Sequence, residues 1–142
     1  MKKLLKDNAG GVPVIFIGLV FFLLVTAFLI MEMGAAYENY YDAETILQRS
    51  CNSAVEKNML DTYRADGILY LDADGAKEDF YRFINSDLPD KYSLTISSIT
   101  GTATPPRLTV TGTVTYSTLF HQYGFDDVSF EFKVESNNFR LE

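Results

Sequence analysis

Residues 9–31 read AGGVPVIFIGLVFFLLVTAFLIM, a run of 23 residues that contains no charged side chain. A helix rises about 1.5 Å per residue, so about 20 apolar residues are enough to cross the hydrocarbon core of a bilayer. A helix also satisfies its backbone hydrogen bonds internally, which a lipid environment requires. The run therefore predicts a transmembrane helix over residues 12–33, with any soluble domain on its C-terminal side.

The orientation of this helix follows from the charges beside it. Lys2, Lys3 and Lys6 precede the run, and short lysine-bearing segments stay in the cytoplasm. The sequence thus predicts a cytoplasmic basic segment over residues 1–11 and an extracytoplasmic or cell-surface location for the residues after Glu32. The alternative is a cleaved signal peptide with Gly34–Ala36 as its cleavage site, although signal-peptide apolar regions usually have only about 7 to 15 residues.

Length and composition bound the rest of the chain. Its 142 residues leave room for one span and one small domain. The formal net charge is −7, and because residues 1–8 contribute +2, the remainder carries −9. An acidic exterior argues against nucleic acid as a partner, since phosphate binding needs a basic surface. The single cysteine, Cys51, has no partner within the chain for a disulfide, so it is either a small core residue or the site of an intermolecular disulfide.

The helix is predicted to continue beyond the span. No proline occurs between Val14 and Pro89, and no linker rich in glycine or serine interrupts the pattern. Apolar residues recur at spacings of three and four, as on one face of a helix. They are Tyr37, Tyr40, Ala43, Leu47, Cys51, Ala54 and Val55. We therefore predict a single helix from about residue 12 to about residue 60, whose outer part, residues 34–62, forms a stalk.

Residues 63–142 have the pattern of a small α+β domain. The turn Asp72–Gly75 precedes a short helix that carries Phe80, Phe83 and Ile84. From Tyr92 onward the apolar period is two, which indicates strands with one apolar face. The apolar residues are Tyr92, Leu94 and Ile96, then Leu108, Val110, Val114 and Tyr116, then Val128, Phe130, Phe132 and Val134. Short turn-like connections favour an antiparallel sheet, whose apolar face we expect to pack on the stalk.

Residues around the end of the span resemble a known family. The segments MEMGAAY (residues 31–37), Tyr40-Tyr41, Ala43 and RSCNSA (residues 49–54) are similar to the TadE-like pseudopilins of tight-adherence (Flp) pilus systems. The resemblance implies a pilin-like fold, a role in pilus assembly or surface adhesion, and partners among pilin-like subunits and the pilus or secretion machinery.

The resemblance also implies a possible processing site. Pilin-like precursors are generally cut after a glycine and carry glutamate as the fifth residue of the mature chain. Gly10 and Gly11 are the candidate glycines here, but the fifth residue after them is Ile15 or Phe16. We therefore expect an anchored accessory subunit rather than the major repeating one.

A possible helix-packing face runs along the span. Gly11, Gly18, Val25 and Glu32 follow heptad spacing, and glycines permit close approach of a second helix. The alternative for Glu32 is an interfacial carboxylate that ends the span. Three tyrosines just beyond it have the amphipathic rings that settle at lipid headgroups. They are Tyr37, Tyr40 and Tyr41.

Other motifs favour structural interpretations. Asp72–Gly75 does not fit a calcium loop, because Lys77 stands where that loop needs glycine and Phe83 where it needs a carboxylate. We expect a turn and a helix cap there. His121 is the only histidine and has no recognisable metal or triad partners, so a loop position is expected.

The sequence thus predicts a structural protein without catalytic, cofactor, metal or small-molecule sites, which contacts lipid and other pilin-like chains. The alternative is a membrane-anchored extracytoplasmic binding module outside any filament. An enzyme is the third class. A pocket that held His121 with two or more carboxylates would favour it.

Overall fold

The computed structural model describes residues 11–60, 69–124 and 126–136. The chain is α+β, with a long apolar N-terminal helix and a three-stranded antiparallel sheet. The elements are α1 (Gly11–Lys57), α2 (Ala73–Asp87), β1 (Tyr92–Thr102), β2 (Arg107–Tyr116), a 3-10 helix (Leu119–Tyr123) and β3 (Val128–Glu135). Two compact units share the chain, Met1–Tyr37 and Glu38–Glu142. Residues 38–57 of α1, predicted as a stalk, belong to the second unit, whereas the predicted basic segment 1–11 lies outside the described residues except for Gly11.

In the first unit, α1 begins with the Pro13 ring in its first turn, where the absent N–H leaves no hydrogen bond unmade. Residues 11–37 extend for roughly 40 Å at about 1.5 Å per residue, which exceeds the thickness of a hydrocarbon core. The Thr26 hydroxyl donates to the Phe22 carbonyl at 2.8 Å, so the one hydroxyl in the apolar run is satisfied within the helix.

In the second unit, α1 buries the predicted apolar stripe. Five of its residues are completely buried: Ala43, Leu47, Cys51, Ala54 and Val55. The ring of Tyr40 packs edge-on against that of Phe130, with centroids 4.7 Å apart. Tyr37, predicted as the first member of the stripe, is instead 66% exposed. The stripe therefore begins one turn later than the periodicity indicated.

The sheet has the order β1-β2-β3 with antiparallel neighbours, as the short connections predicted. β2 alternates buried residues with partly exposed threonines along its whole length. Its buried residues are Leu108, Val110, Gly112, Val114 and Tyr116. β1 continues to Thr102, beyond the predicted alternation. The alternation is interrupted by a bulge between Ile96 and Ser98, which shifts the register. An extra residue at a bulge changes the parity, so Ile99 lies on the same face as Ile96.

Position 112 of β2 requires glycine because neighbouring atoms approach its Cα closely. A Cβ atom there would lie 2.9 Å from the Phe132 ring and would also meet the Thr95 carbonyl oxygen. The Phe132 side chain occupies the space that any larger residue at position 112 would need.

Two helices, α1 and α2, cover the core. The sequence had indicated that the stalk alone would cover it. α2 buries Ala76, Phe80 and Ile84 along one face. It runs antiparallel to α1, since Arg49 pairs with Asp87 at 3.0 Å and Lys57 pairs with Asp79. The core thus lies between these helices and the apolar face of the sheet.

Candidate functional site

The first candidate surface is the apolar part of α1. Every large apolar side chain from Val14 to Met33 is 40–74% exposed. Among the described residues, this is the one helix that is long and apolar enough to cross a membrane, and none of its most apolar window is buried within the protein. A contiguous apolar surface of this size is unfavourable in water and marks contact with lipid or with another protein.

The predicted helix-packing and processing residues lie on this helix. A Cβ atom added at Gly18 would meet no atom within 4 Å beyond the backbone of its own helix, so a partner helix could approach closely there. Glu32 is half-buried within the helix surface and Val25 is 41% exposed. Gly11 is the first residue of α1, and Gly10 lies outside the described residues. The packing face and the processing site both stay predictions.

A polar cluster joins the end of α1 to α2. The carboxylate of Asp79 accepts hydrogen bonds from Asn58 at 2.8 Å, from Lys57 at 3.2 Å and from Arg82. The Asn58 hydrogen bond, followed by Lys57 and the charge of Arg82, holds the pKa of Asp79 below its usual range, although burial opposes this shift. Three donors thus compensate the nearly buried carboxylate, so we assign the cluster a role in holding the two helices together.

A second cluster fastens the start of β1 to α1. The Tyr92 hydroxyl lies 2.9 Å from an Asp42 carboxylate oxygen and 3.1 Å from the Asn39 carbonyl. Lys91 donates to the Asn39 side chain at 2.9 Å and lies 4.7 Å from the centre of the Tyr92 ring. Burial raises the pKa of Tyr92, so the phenol stays protonated and donates. Sequence periodicity identified Tyr92 as a core residue but gave no signal for its polar partners.

Asp72 caps α2, as the turn chemistry predicted. Its side chain accepts a hydrogen bond from the Gly75 N–H at 3.1 Å. His121 lies in the 3-10 helix between β2 and β3, with Nδ1 2.8 Å from an Asp127 carboxylate oxygen. Its side chain is 59% exposed. Within residues 11–60, 69–124 and 126–136, no group of three or more His, Cys, Asp or Glu side chains could hold a metal ion.

Cys51 lies in the core beneath β2. It is completely buried, and its Sγ atom contacts the Leu108 carbonyl at 3.4 Å. Burial raises the pKa of the thiol to about 12. The burial of Cys51 agrees with its interpretation as a core residue and disfavours the alternative of an intermolecular disulfide.

A groove borders β1 in the second unit. Its volume is about 700 Å³, and its lining combines the C-terminal half of α2 with residues 92–96 of β1. Tyr81 on the α2 side is 42% exposed. Leu88, Leu94 and Ile96 are partly exposed. The sequence did not predict this site, because helix and strand periodicities do not reveal which edges remain open after packing.

Comparison with known proteins adds no relative. No family model matches the chain, and no curated protein or solved structure matches it.

Proposed function

We propose that the chain is a single-pass membrane protein that holds a small extracytoplasmic α+β domain at the cell surface. It acts as a TadE-like pseudopilin, a minor structural subunit of a tight-adherence pilus or related secretion system. The supporting observation is the change of surroundings along α1. Its large apolar side chains from Val14 to Met33 are exposed, and from Ala43 onward one stripe is buried beneath an antiparallel sheet.

The mechanism is physical. Burial of apolar side chains contributes about 25 cal/mol per Å² removed from water, so a helix of this composition partitions strongly into lipid. The lysines before it favour a cytoplasmic N-terminus. Neighbouring helices dock along the face that contains Gly11, Gly18 and Glu32, where small residues permit close approach.

A minor role follows from the residues after the candidate processing site. A glutamate there would pair with a neighbour's terminal amine in an apolar bundle, where an unpaired charge is costly. Ile15 or Phe16 occupies that position. The chain thus assists assembly or adhesion from the membrane rather than forming the filament body.

The first experiment tests the topology. Protease is added to spheroplasts that express the full chain, and the remaining fragments are identified by mass spectrometry. We expect residues 38–142 to be digested and the apolar helix to be protected. Complete protection, or recovery of the intact chain from the soluble fraction, contradicts the anchored topology. The N-terminal residue in the same spectra shows whether cleavage occurs after Gly10 or Gly11.

The second experiment tests the filament role. The full chain is extracted in mild detergent, and its co-purifying proteins are identified. We expect pilin-like chains and a secretion ATPase. Recovery of the chain alone favours the second candidate function, an anchored binding module, for which the groove beside β1 is the supporting observation. Sheared surface filaments composed mainly of this chain would contradict the minor role.

A further inference from the structure

The groove beside β1 exposes the backbone of a strand as well as side chains. In the described part of the chain, β1 pairs with β2 and is an edge of the sheet. The Tyr92 N–H donates to the Pro89 carbonyl at 3.0 Å, so it points away from β2. Backbone groups alternate in direction along an antiparallel strand. The N–H and C=O groups of Leu94 and Ile96 therefore also point towards the open edge.

Among the described residues, charged side chains protect the β3 edge of the sheet but not the β1 edge. β3 carries Glu131, Lys133 and Glu135 at alternate positions. Such charges are a common means of preventing strand addition. β1 has no charged residue between Tyr92 and Thr102. Its bulge at Ile96/Ser98 confines the regular open edge to residues 92–96, which are the β1 residues that line the groove.

The shape of the groove suits a single extended segment. α2 and the residue that follows it, Leu88, form a wall along the edge, where the exposed Tyr81 and the partly exposed Leu88 line the groove. An added strand places alternate side chains on this side, so its apolar residues would contact the wall while its backbone pairs with β1. A second copy of the chain is a poorer occupant, because its own β1 is flanked by its own α2.

The acidic net charge of the second unit favours extended segments that carry basic residues. Residues 38–142 contain 17 acidic and nine basic side chains. The exposed carboxylate of Asp90 lies in the groove lining. A partner with a basic residue at this end is favoured over an acidic one.

We propose that the groove binds an extended segment of another protein, which adds to β1 as a fourth strand. The segment alternates apolar and polar residues, directs its apolar side chains at Tyr81 and Leu88, and carries a basic residue beside Asp90. Strand addition of this kind derives its affinity from backbone hydrogen bonds and its specificity from alternate side-chain pockets. The proposal is independent of whether the chain belongs to a filament.

The test is a selection from a random decapeptide library displayed on phage, against the full chain in lipid nanodiscs. We expect enrichment of peptides that alternate apolar and polar residues and include lysine or arginine. Fluorescence anisotropy then measures the affinity of a labelled, selected peptide. N-methylation of the amides that face β1 should abolish binding, whereas methylation at the alternate positions should preserve it.

Two variants locate the site on the protein. Tyr81→Ala removes part of the wall, and Leu94→Pro removes an N–H from the open edge, a position where strands tolerate proline. Each should weaken binding by at least about tenfold, while Tyr70→Ala, at a tyrosine of similar exposure outside the groove, should leave it unchanged. Circular dichroism verifies folding. The proposal is overturned if no peptide is enriched, if both patterns of N-methylation act alike, or if folded Tyr81→Ala binds normally. A dimer that Leu94→Pro dissociates would identify a second copy as the occupant instead.

Discussion

Cys51 is expected to be chemically inert in the folded domain. The thiol is completely buried and its pKa is raised to about 12, and the thiolate is the reactive form. We predict that a thiol reagent at pH 8 labels the chain only after denaturation, which absorbance or mass spectrometry would measure.

The control for Cys51 is a cysteine on the same helix in a different environment. Glu56 is exposed, so Glu56→Cys in a Cys51→Ala background should react within minutes while folded. Rapid labelling of native Cys51 would show that the helix separates readily from the sheet.

Asp79 is expected to make the stability of the domain depend on acidic pH. Its pKa is lowered in the folded state, so the stabilisation is present above the unfolded value of about 4 and is lost as the pH falls through the folded value. We predict that Asp79→Asn lowers the melting temperature at pH 7 and that the difference from wild type narrows below about pH 4.

Asp74 is the matched control for this titration. Its side chain is 93% exposed and pairs with Lys77 on the surface of α2. Exposed pairs contribute about 0–1 kcal/mol, so Asp74→Asn should change the melting temperature little at either pH. A constant gap between wild type and Asp79→Asn across the range would mean that the carboxylate does not titrate as described.

Residue-level patterns could predict Cys51 but not the Asp79 cluster. Cys51 follows the helical period of the apolar stripe, which local spacing reveals. Asp79 lies among polar residues of α2, and its partners Asn58 and Lys57 are 21 and 22 residues away. Such contacts depend on how the two helices meet, which no local pattern specifies.

At the scale of elements, the packing of α1 against the sheet should stabilise the domain, and Leu47 should contribute much of that stability. This side chain is completely buried. We predict that Leu47→Ala lowers the free energy of unfolding by about 2–5 kcal/mol, as for other buried leucines, and that Leu47→Asp is worse because it buries a charge. Urea unfolding of residues 38–142 measures both.

Thr45 provides the comparison on the same helix. It is exposed, and Thr45→Ala should fall within about 0.5 kcal/mol of wild type. Equal unfolding curves for wild type and Leu47→Ala would show that the outer part of α1 contributes nothing to the core.

The elements themselves were largely predictable, because each strand has one polar face and therefore a clear period of two. The full length of β1 was not, since the bulge at Ile96/Ser98 breaks that period. The packing of α2 on the core was also not predicted. α2 is short, and its buried face of Ala76, Phe80 and Ile84 includes the small Ala76, which adds little to an apolar pattern.

At the scale of the molecule, the two units should differ in what they need from their surroundings. The buried core residues lie between Ala43 and Val134. We predict that residues 38–142 alone form a soluble domain that unfolds cooperatively, while the full chain requires detergent or lipid. Circular dichroism and sedimentation would measure this.

Two results would contradict that division. Aggregation of the 38–142 fragment would mean that the first unit contributes to the fold. A full chain that stays monomeric without detergent would mean that the apolar helix is covered by something other than lipid.

The apolar stripe of α1 is synthesised before the strands that cover it. Its residues from Ala43 to Val55 are made before the strands that bury them, and β3 with Phe132 and Val134 comes last. Synthesis at about 5–20 residues per second takes about 4–16 s to cover the roughly 80 residues from Val55 to Glu135. For those seconds the stripe of the nascent helix has no sheet to cover it. Slowing translation across the three strands should therefore reduce the yield of folded protein more than slowing it across the apolar helix.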